Sequence, residues 1–73
     1  MAPTSISNLE VVALLADVPH HGLVRGQVGT VVERLTDDVF EVEFVDDDGQ
    51  TYAEIALPAE QLLVLHHRRI RAA

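Results

Sequence analysis

The chain has 73 residues, enough for one small domain that buries only about 60% of the surface its unfolded form exposes. It has no cysteine, which excludes disulfides, thiolate metal sites and cysteine nucleophiles, and it shows no apolar run near 18 residues and no basic signal-peptide start. All twelve acidic residues lie between Glu10 and Glu60, opposed there only by Arg25 and Arg34, so this body carries −10, and three tail arginines bring the chain to −7.

The charge distribution and the composition narrow the class of protein. A hydrophobic fraction of 48% predicts a folded domain rather than a disordered chain, and we expect a cytoplasmic protein with no membrane partner. An acidic body repels a phosphate backbone, so nucleic acid is not expected to bind through it. We interpret residues 1–7 as an N-terminal arm, residues 8–65 as the domain and residues 66–73 as a basic tail.

The first half of the chain predicts two strands and a long loop. Residues 9–16 are apolar and partly β-branched, which favours a strand, with a short amphipathic helix capped by Ser7 or Asn8 as the alternative. Residues 17–27 contain one proline and two glycines and predict a loop. Residues 28–35 predict a second strand in which Gly29 indicates a bulge or a bend. The pattern leaves open which face of this strand is buried.

The second half alternates more clearly. The third strand places Phe40, Val42 and Phe44 on one face and Glu41 and Glu43 on the other. Residues 46–49, Asp-Asp-Asp-Gly, predict a hairpin turn. In the fourth strand, residues 53, 55 and 57 point inward and residues 52 and 54 outward. Residues 58–61 then predict one 3-10 turn, and residues 62–65 a short last strand.

These elements predict an all-β fold, a small five-stranded SH3-like barrel with one 3-10 turn before the last strand. Curling the sheet lets about 60 residues share one core. The expected core consists of Val12, Leu14, Val31, Phe40, Val42, Phe44, Ile55, Leu57 and Leu63.

Spaced motifs in the chain resemble a known family. Residues 17–32 read Asp17-Val18-Pro19-x-His21-Gly22-Leu23-x-Arg25-Gly26-x-Val28-Gly29-Thr30-Val31-Val32, and later come Phe40-Glu41-Val42-Glu43-Phe44, Asp48-Gly49 and Leu57-Pro58-Ala59. With these motifs, residues 9 to 65 resemble the short bacterial proteins of domain of unknown function 4926. That family carries no assigned activity, so the resemblance implies a fold and little about function.

Two more distant resemblances concern residues 25–31, Arg-Gly-Gln-Val-Gly-Thr-Val. This segment is similar to the Gly-x-x-Gly-x-Val turn of ribosome-associated KOW modules. It is also similar to the SH3-like portion of nitrile hydratase β chains and their activator proteins.

Metal and catalytic sites have weak sequence support. His20 and His21 are adjacent, so on an extended segment they point apart and need a third ligand to hold a metal. The Asp46–Gly49 segment lacks the alternate oxygen ligands of a calcium loop and suits a turn. No serine or threonine has an evident base, and Glu41 and Glu43 fit a solvated face. We therefore expect no cofactor, no metal and no catalytic residue.

A binding surface is the better-supported prediction. The long loop presents Leu23 and Val24 beside His20, His21 and Arg25, and an exposed apolar loop tip marks a partner site. The alternative for Leu23 is that it caps an open end of the barrel. Tyr52 is either an exposed interface anchor or a cover for a neighbouring strand.

We therefore expect a small acidic protein-binding module, an accessory, regulatory or antitoxin-like subunit with a protein partner. A homodimer through open edge strands is a further expectation. The alternative function is a KOW-like nucleic-acid or ribosome-associated module that uses the tail, with Arg68, Arg69 and Arg71 as its contacts. A second alternative is an acidic mimic of nucleic acid.

Overall fold

The computed structural model describes residues 6–72 and shows an all-β fold, as predicted. Five strands are present: β1 (Val11–Leu14), β2 (Val28–Arg34), β3 (Val39–Val45), β4 (Thr51–Pro58) and β5 (Leu62–Val64). One 3-10 helix, Pro19–His21, lies in the long loop, and a second, Ala59–Gln61, precedes β5 as predicted. Within this part of the chain, no helix has the length and apolarity to cross a membrane.

The strands form one antiparallel sheet in the order β4-β3-β2-β1-β5. Strands β1 to β4 form a meander in which each strand pairs with the next one along the chain. Strand β5 then returns to pair with the other side of β1. This return is compatible with an SH3-like barrel. In residues 6–72 no ladder joins β4 to β5, so the barrel is not closed.

One face of the sheet holds the core. Phe40, Val42 and Phe44 are fully buried there, which confirms the alternation predicted for β3. Three side chains that the sequence did not predict, Ile6, Leu23 and Leu62, also belong to this core. The five further predicted core side chains that are buried are Val12, Leu14, Val31, Ile55 and Leu57.

The prediction for Leu63 is wrong. Leu63 is 50% exposed, and its neighbour Leu62 is buried instead. The reason is the register of β5 on β1, where Leu62 lies opposite Leu14 on the core face and Leu63 lies opposite Ala13 on the other face. A run of four apolar residues contains no alternation from which this register follows.

Ile6 lies in the segment interpreted as an arm, yet it is buried in the core. The chain after it is attached to β2, since the Leu9 amide donates to the Val31 carbonyl at 2.6 Å and the Val31 amide donates to the Glu10 carbonyl at 2.9 Å. The ordered domain therefore includes residue 6. The rest of the predicted arm, residues 1–5, lies outside the described residues.

Gly29 and Val31 face the core from β2, which settles the ambiguity of that strand. The irregularity of β2 falls between Val31 and Glu33 rather than at the glycine. Gly29 serves close packing instead: a Cβ atom there would lie 2.7 Å from Val42 Cγ1 and 2.8 Å from the Phe44 ring. These distances are too short for any side chain, so the sheet can bring β3 this close only over a glycine.

The turn between β3 and β4 is the predicted one. Gly49 has a φ of +80°, and its amide donates to the Asp46 carbonyl at 3.0 Å. The Asp46 carboxylate accepts hydrogen bonds from the amides of Asp48 and Gln50 at 2.9 and 3.0 Å. Asp46 therefore acts as a turn former, as the turn interpretation of this segment requires.

Candidate interaction surface

The long loop between β1 and β2 folds back on itself. Val18 and Leu23 form an isolated antiparallel bridge, with the Val18 amide donating to the Leu23 carbonyl at 2.8 Å. Between them the 3-10 helix Pro19–His21 ends at Gly22, which has a φ of +67°. Outside this bridge, Asp17 Oδ1 accepts a hydrogen bond from the Arg25 amide at 2.8 Å, which makes a second link between the two sides of the loop. These bonds hold the loop as a compact unit.

Leu23 is not an exposed loop tip. Its side chain is 1% exposed and belongs to the core, which contradicts its assignment to a partner-binding surface and agrees with the alternative that it caps the barrel end. The bridge to Val18 turns Leu23 inward, and Val24 next to it is 56% exposed. His20, His21 and Arg25 are exposed as well. The structure therefore leaves these four side chains accessible and buries Leu23, and the partner-binding role of the four stays a prediction.

Tyr52 belongs to the same end of the molecule. Its hydroxyl accepts a hydrogen bond from Gln27 Nε2 at 2.9 Å, and its ring lies 6.3 Å from that of Phe44, tilted by 44°. Tyr52 is the extra residue of β4, between Thr51 opposite Val45 and Ala53 opposite Phe44. It is therefore half-exposed and covers the neighbouring core residue Phe44, and its role as an interface anchor stays a prediction.

Gln27 is a residue that the sequence reasoning missed. Besides its bond to Tyr52, its Oε1 accepts from the Val24 amide at 2.6 Å, and its carbonyl accepts from the Leu14 amide at 2.9 Å. It thus ties the loop to β1 and to β4. We name the exposed side chains of the loop, taken together with Tyr52, the loop end: His20, His21, Val24, Arg25 and Tyr52.

A second surface lies on the outer face of the sheet, opposite the core. Val28, Ala13 and Leu63 lie side by side across β2, β1 and β5, and Val11 and Leu65 lie next to them, joined by the hydrogen bond from the Leu65 amide to the Val11 carbonyl. Four of these five side chains are exposed, whereas the small Ala13 is 8% exposed between its neighbours. We name these five residues the apolar half of the outer face.

One sequence signal does indicate this surface. β1 reads Val-Val-Ala-Leu and β5 reads Leu-Leu-Val, without the polar residues that alternate along β3. Strands that are covered on both faces have such continuous apolar runs. The same apolar runs that predict strands are therefore also typical of strands with apolar side chains on both faces.

The other half of the same face is acidic. Glu33 lies opposite Glu41 between β2 and β3, and Glu43 lies opposite Glu54 between β3 and β4. Directly opposed like charges destabilise a sheet. Within residues 6–72 the one ion pair is Arg34 with Asp37, at 3.7 Å, so no cation of this segment neutralises the four glutamates. We name them the acidic half.

The basic tail leaves the sheet from the end of β5. Arg68, Arg69 and Arg71 are exposed and form no ion pair with residues 6–72. The start of the tail and residues 9–11 enclose an open groove of about 750 Å³, whose apolar walls are Leu9, Val11, Leu65 and Ile70. The groove therefore continues the apolar half toward the tail.

The described residues, 6–72, bring together no group of three or more histidine and carboxylate side chains able to hold a metal ion. His20 and His21 sit on the 3-10 helix of the loop, whereas His66 and His67 line the groove at the tail. The hydroxyl of Thr51 donates to Glu43 Oε2 at 2.8 Å, which is the side-chain contact of a solvated sheet face.

Comparison with known proteins places the chain in a family. No curated protein and no solved structure matches it. The model of the family described as Domain of unknown function (DUF4926) matches residues 8–64, a range that includes every strand of the sheet and both 3-10 helices. The chain therefore belongs to the DUF4926 family.

Proposed function

We propose that this protein is a small cytoplasmic protein-binding module, an accessory, regulatory or antitoxin-like subunit with no catalytic activity of its own. The observation that carries the proposal is the apolar half of the outer face. There, exposed valine and leucine side chains from three adjacent strands lie side by side across the sheet, and the tail approaches them at the groove beside Val11 and Leu65.

The physical argument concerns what a free apolar face costs. Single exposed apolar residues are ordinary in soluble proteins, but a contiguous apolar patch marks a surface that another molecule covers. Removing these side chains from water stabilises a complex by about 25 cal/mol for each Å² of apolar area that is buried. A protein surface of matching shape supplies this burial, and the polar loop end and acidic half then form the rim of the contact.

The test compares capture by three substituted proteins with capture by the wild type. A tag is placed at the N-terminus, and an untagged copy of the chain is co-expressed so that a second copy counts as a partner. Leu63→Asp puts a charge into the apolar half on its edge strand, β5, and is expected to abolish capture of a stoichiometric partner. Leu35→Asp is the matched control, because Leu35 is also exposed but lies at the turn after β2.

Val24→Asp reports on the loop end in the same experiment. Circular dichroism of each variant verifies the fold. Equal capture by wild type and Leu63→Asp would contradict the proposed surface, and selective loss in Val24→Asp would move the contact to the loop end.

A nucleic-acid-associated module is the second candidate, supported by the three exposed tail arginines that lack acidic partners in residues 6–72. Titration of labelled mixed RNA at low and high salt tests it, because phosphate contacts weaken steeply as salt rises. Loss of salt-sensitive binding in a variant with Arg68, Arg69 and Arg71 changed to Ala would support the tail as the contact. An absence of binding at low salt removes this candidate.

The acidic half supports the third candidate, a mimic of nucleic acid that blocks a basic groove. Its two opposed glutamate pairs form a compact array of negative charge on one face. Such a mimic would compete with duplex DNA for a basic protein. Unchanged capture of every partner by a Glu43→Gln, Glu54→Gln variant would argue against it.

A further inference from the structure

We propose that the cover of the apolar half is a second copy of this chain, arranged with two-fold symmetry so that the tail of each copy lies along the acidic half of the other. This inference rests on the proposed function, because it names the occupant of the same surface. It differs from edge-to-edge pairing of strands, since the contact is between faces.

The first step is the position of the charges along the strands. Glu54, Glu43, Thr30 and Val11 lie side by side across β4, β3, β2 and β1, and Leu65 continues this row through its bond to Val11. One row therefore runs from the acidic half at one side to the start of the tail at the other. The second acidic pair, Glu33 and Glu41, lies one step further in the direction in which the tail leaves the sheet.

The second step is the effect of a two-fold axis between two stacked outer faces, parallel to β1. Such an axis keeps the level of each residue along the strands and reverses the order of the strands across the sheet. The apolar halves of the two copies then lie over each other, about 10 Å apart as in stacked sheets. The β3 and β4 strands of one copy extend past β5 of the other, at the level where that copy's tail begins.

The third step is charge complementarity. Within one copy, β1 and β2 lie between β5 and the acidic strands β3 and β4 in the sheet order, and no ion pair joins the tail to any part of residues 6–72. In the two-fold arrangement three arginines of one copy meet the four glutamates of the other, twice. The net charge of −7 per chain opposes association at low salt, but this repulsion is screened beyond about 8 Å at physiological ionic strength.

The contact is self-complementary, as an isologous interface must be. Each copy offers an apolar patch flanked on one side by anions and on the other by cations, so that one rotation satisfies both flanks. A partner that was only basic would leave the three tail arginines facing like charge.

The first experiment is sedimentation velocity of the full chain at about 0.15 M salt, from about 1 to 300 µM, a range that covers micromolar affinities. We expect a monomer–dimer equilibrium for the wild type and for Leu35→Asp, and a monomer throughout for Leu63→Asp. A wild type that stays monomeric at every concentration overturns the inference, as does a Leu63→Asp variant that still dimerises.

The second experiment tests the arrangement and does not depend on an apolar-to-charged change. One variant has Arg68, Arg69 and Arg71 changed to Glu, and the other has Glu43 and Glu54 changed to Arg. Each alone opposes like charges and should dimerise more weakly by a factor on the order of ten. Mixed, they pair tail and sheet with opposite charges at both ends, so a heterodimer of wild-type affinity is expected. Undiminished dimers of either variant, or no recovery on mixing, would overturn the two-fold arrangement.

The two proposals fail in different ways. If the wild type is monomeric and Leu63→Asp still loses a captured protein of another sequence, then the second-copy inference is wrong and the proposed function stands. If Leu63→Asp changes neither self-association nor capture, then the outer face is not a binding surface at all.

Discussion

Gln27 and Tyr52, 25 residues apart in the chain, are joined by a side-chain hydrogen bond of 2.9 Å that fixes the long loop to β4. The same glutamine accepts the Val24 amide on its other side-chain atom. Through these two contacts the position of the loop between β1 and β2 depends on β4, an edge strand of the sheet.

Tyr52→Phe removes the hydroxyl and keeps the ring that lies beside Phe44. We expect the free energy of unfolding to fall by about 0.5–1 kcal/mol, the range for an ordinary hydrogen bond. Gln27→Ala should cost more, because the Val24 amide also loses its acceptor. Urea unfolding of both single variants and the double variant measures the coupling. Strictly additive effects would show that the bond contributes nothing in solution.

Leu23→Ala should lower the free energy of unfolding by about 2–5 kcal/mol, because a buried leucine leaves a cavity when it is truncated. Val24→Ala, one residue further, should change it by about 0.5 kcal/mol or less, as expected for an exposed side chain. Thermal and urea unfolding of the pair provides the measurement. Similar costs at both positions would mean that the loop is not held as the structure shows it.

Gly29→Ala should destabilise the protein by about 1–3 kcal/mol through overpacking, since the new methyl group would lie within 3 Å of Val42 and Phe44. Thr30→Ala is the neighbouring control, because Thr30 faces the outer side of the same strand and is only half-buried. The comparison is made by urea unfolding. A Gly29→Ala variant as stable as the wild type would show that β2 and β3 can separate at no cost.

Glu54→Gln removes one of two directly opposed carboxylates and should raise the free energy of unfolding by a few tenths of a kcal/mol, within the range of about 0.2–1 kcal/mol for cross-strand pairs. The gain should shrink at about 1 M salt, where the screening length is about 3 Å. Glu60→Gln removes the same charge away from any facing glutamate and is the control. Equal gains at both positions would point to net charge rather than to the strand pair.

Where a strand alternates between apolar and acidic residues, the inference from sequence to structure was direct. Phe40, Val42 and Phe44 face the core and Glu41 and Glu43 face water, because successive side chains of a strand point to opposite faces. The turn at Gly49 followed in the same way, from residues whose local conformational preferences specify a turn type.

The errors fall where that local information is missing. Leu62 and Leu63 are equivalent as a sequence pattern, and only their pairing with Leu14 and Ala13 decides which of them is buried. Leu23 and Val24 are equivalent as an apolar pair in a loop, and only the bridge from Leu23 to Val18 turns Leu23 inward. The apolar half shares this origin, since it arises from the pairing of three strands that are separated in the chain.

The sequence by itself determined the third and fourth strands, the tight hairpin turn between them and a 3-10 turn before the last strand, and it favoured an all-β chain of five strands, because each of these depends on residues close together in the chain. The tertiary structure alone decided which side chains of β1, β5 and the long loop are buried, and it alone divided the outer face into an apolar and an acidic half. Those features depend on the register between distant segments, and a shift of one residue in that register exchanges the two faces of a strand.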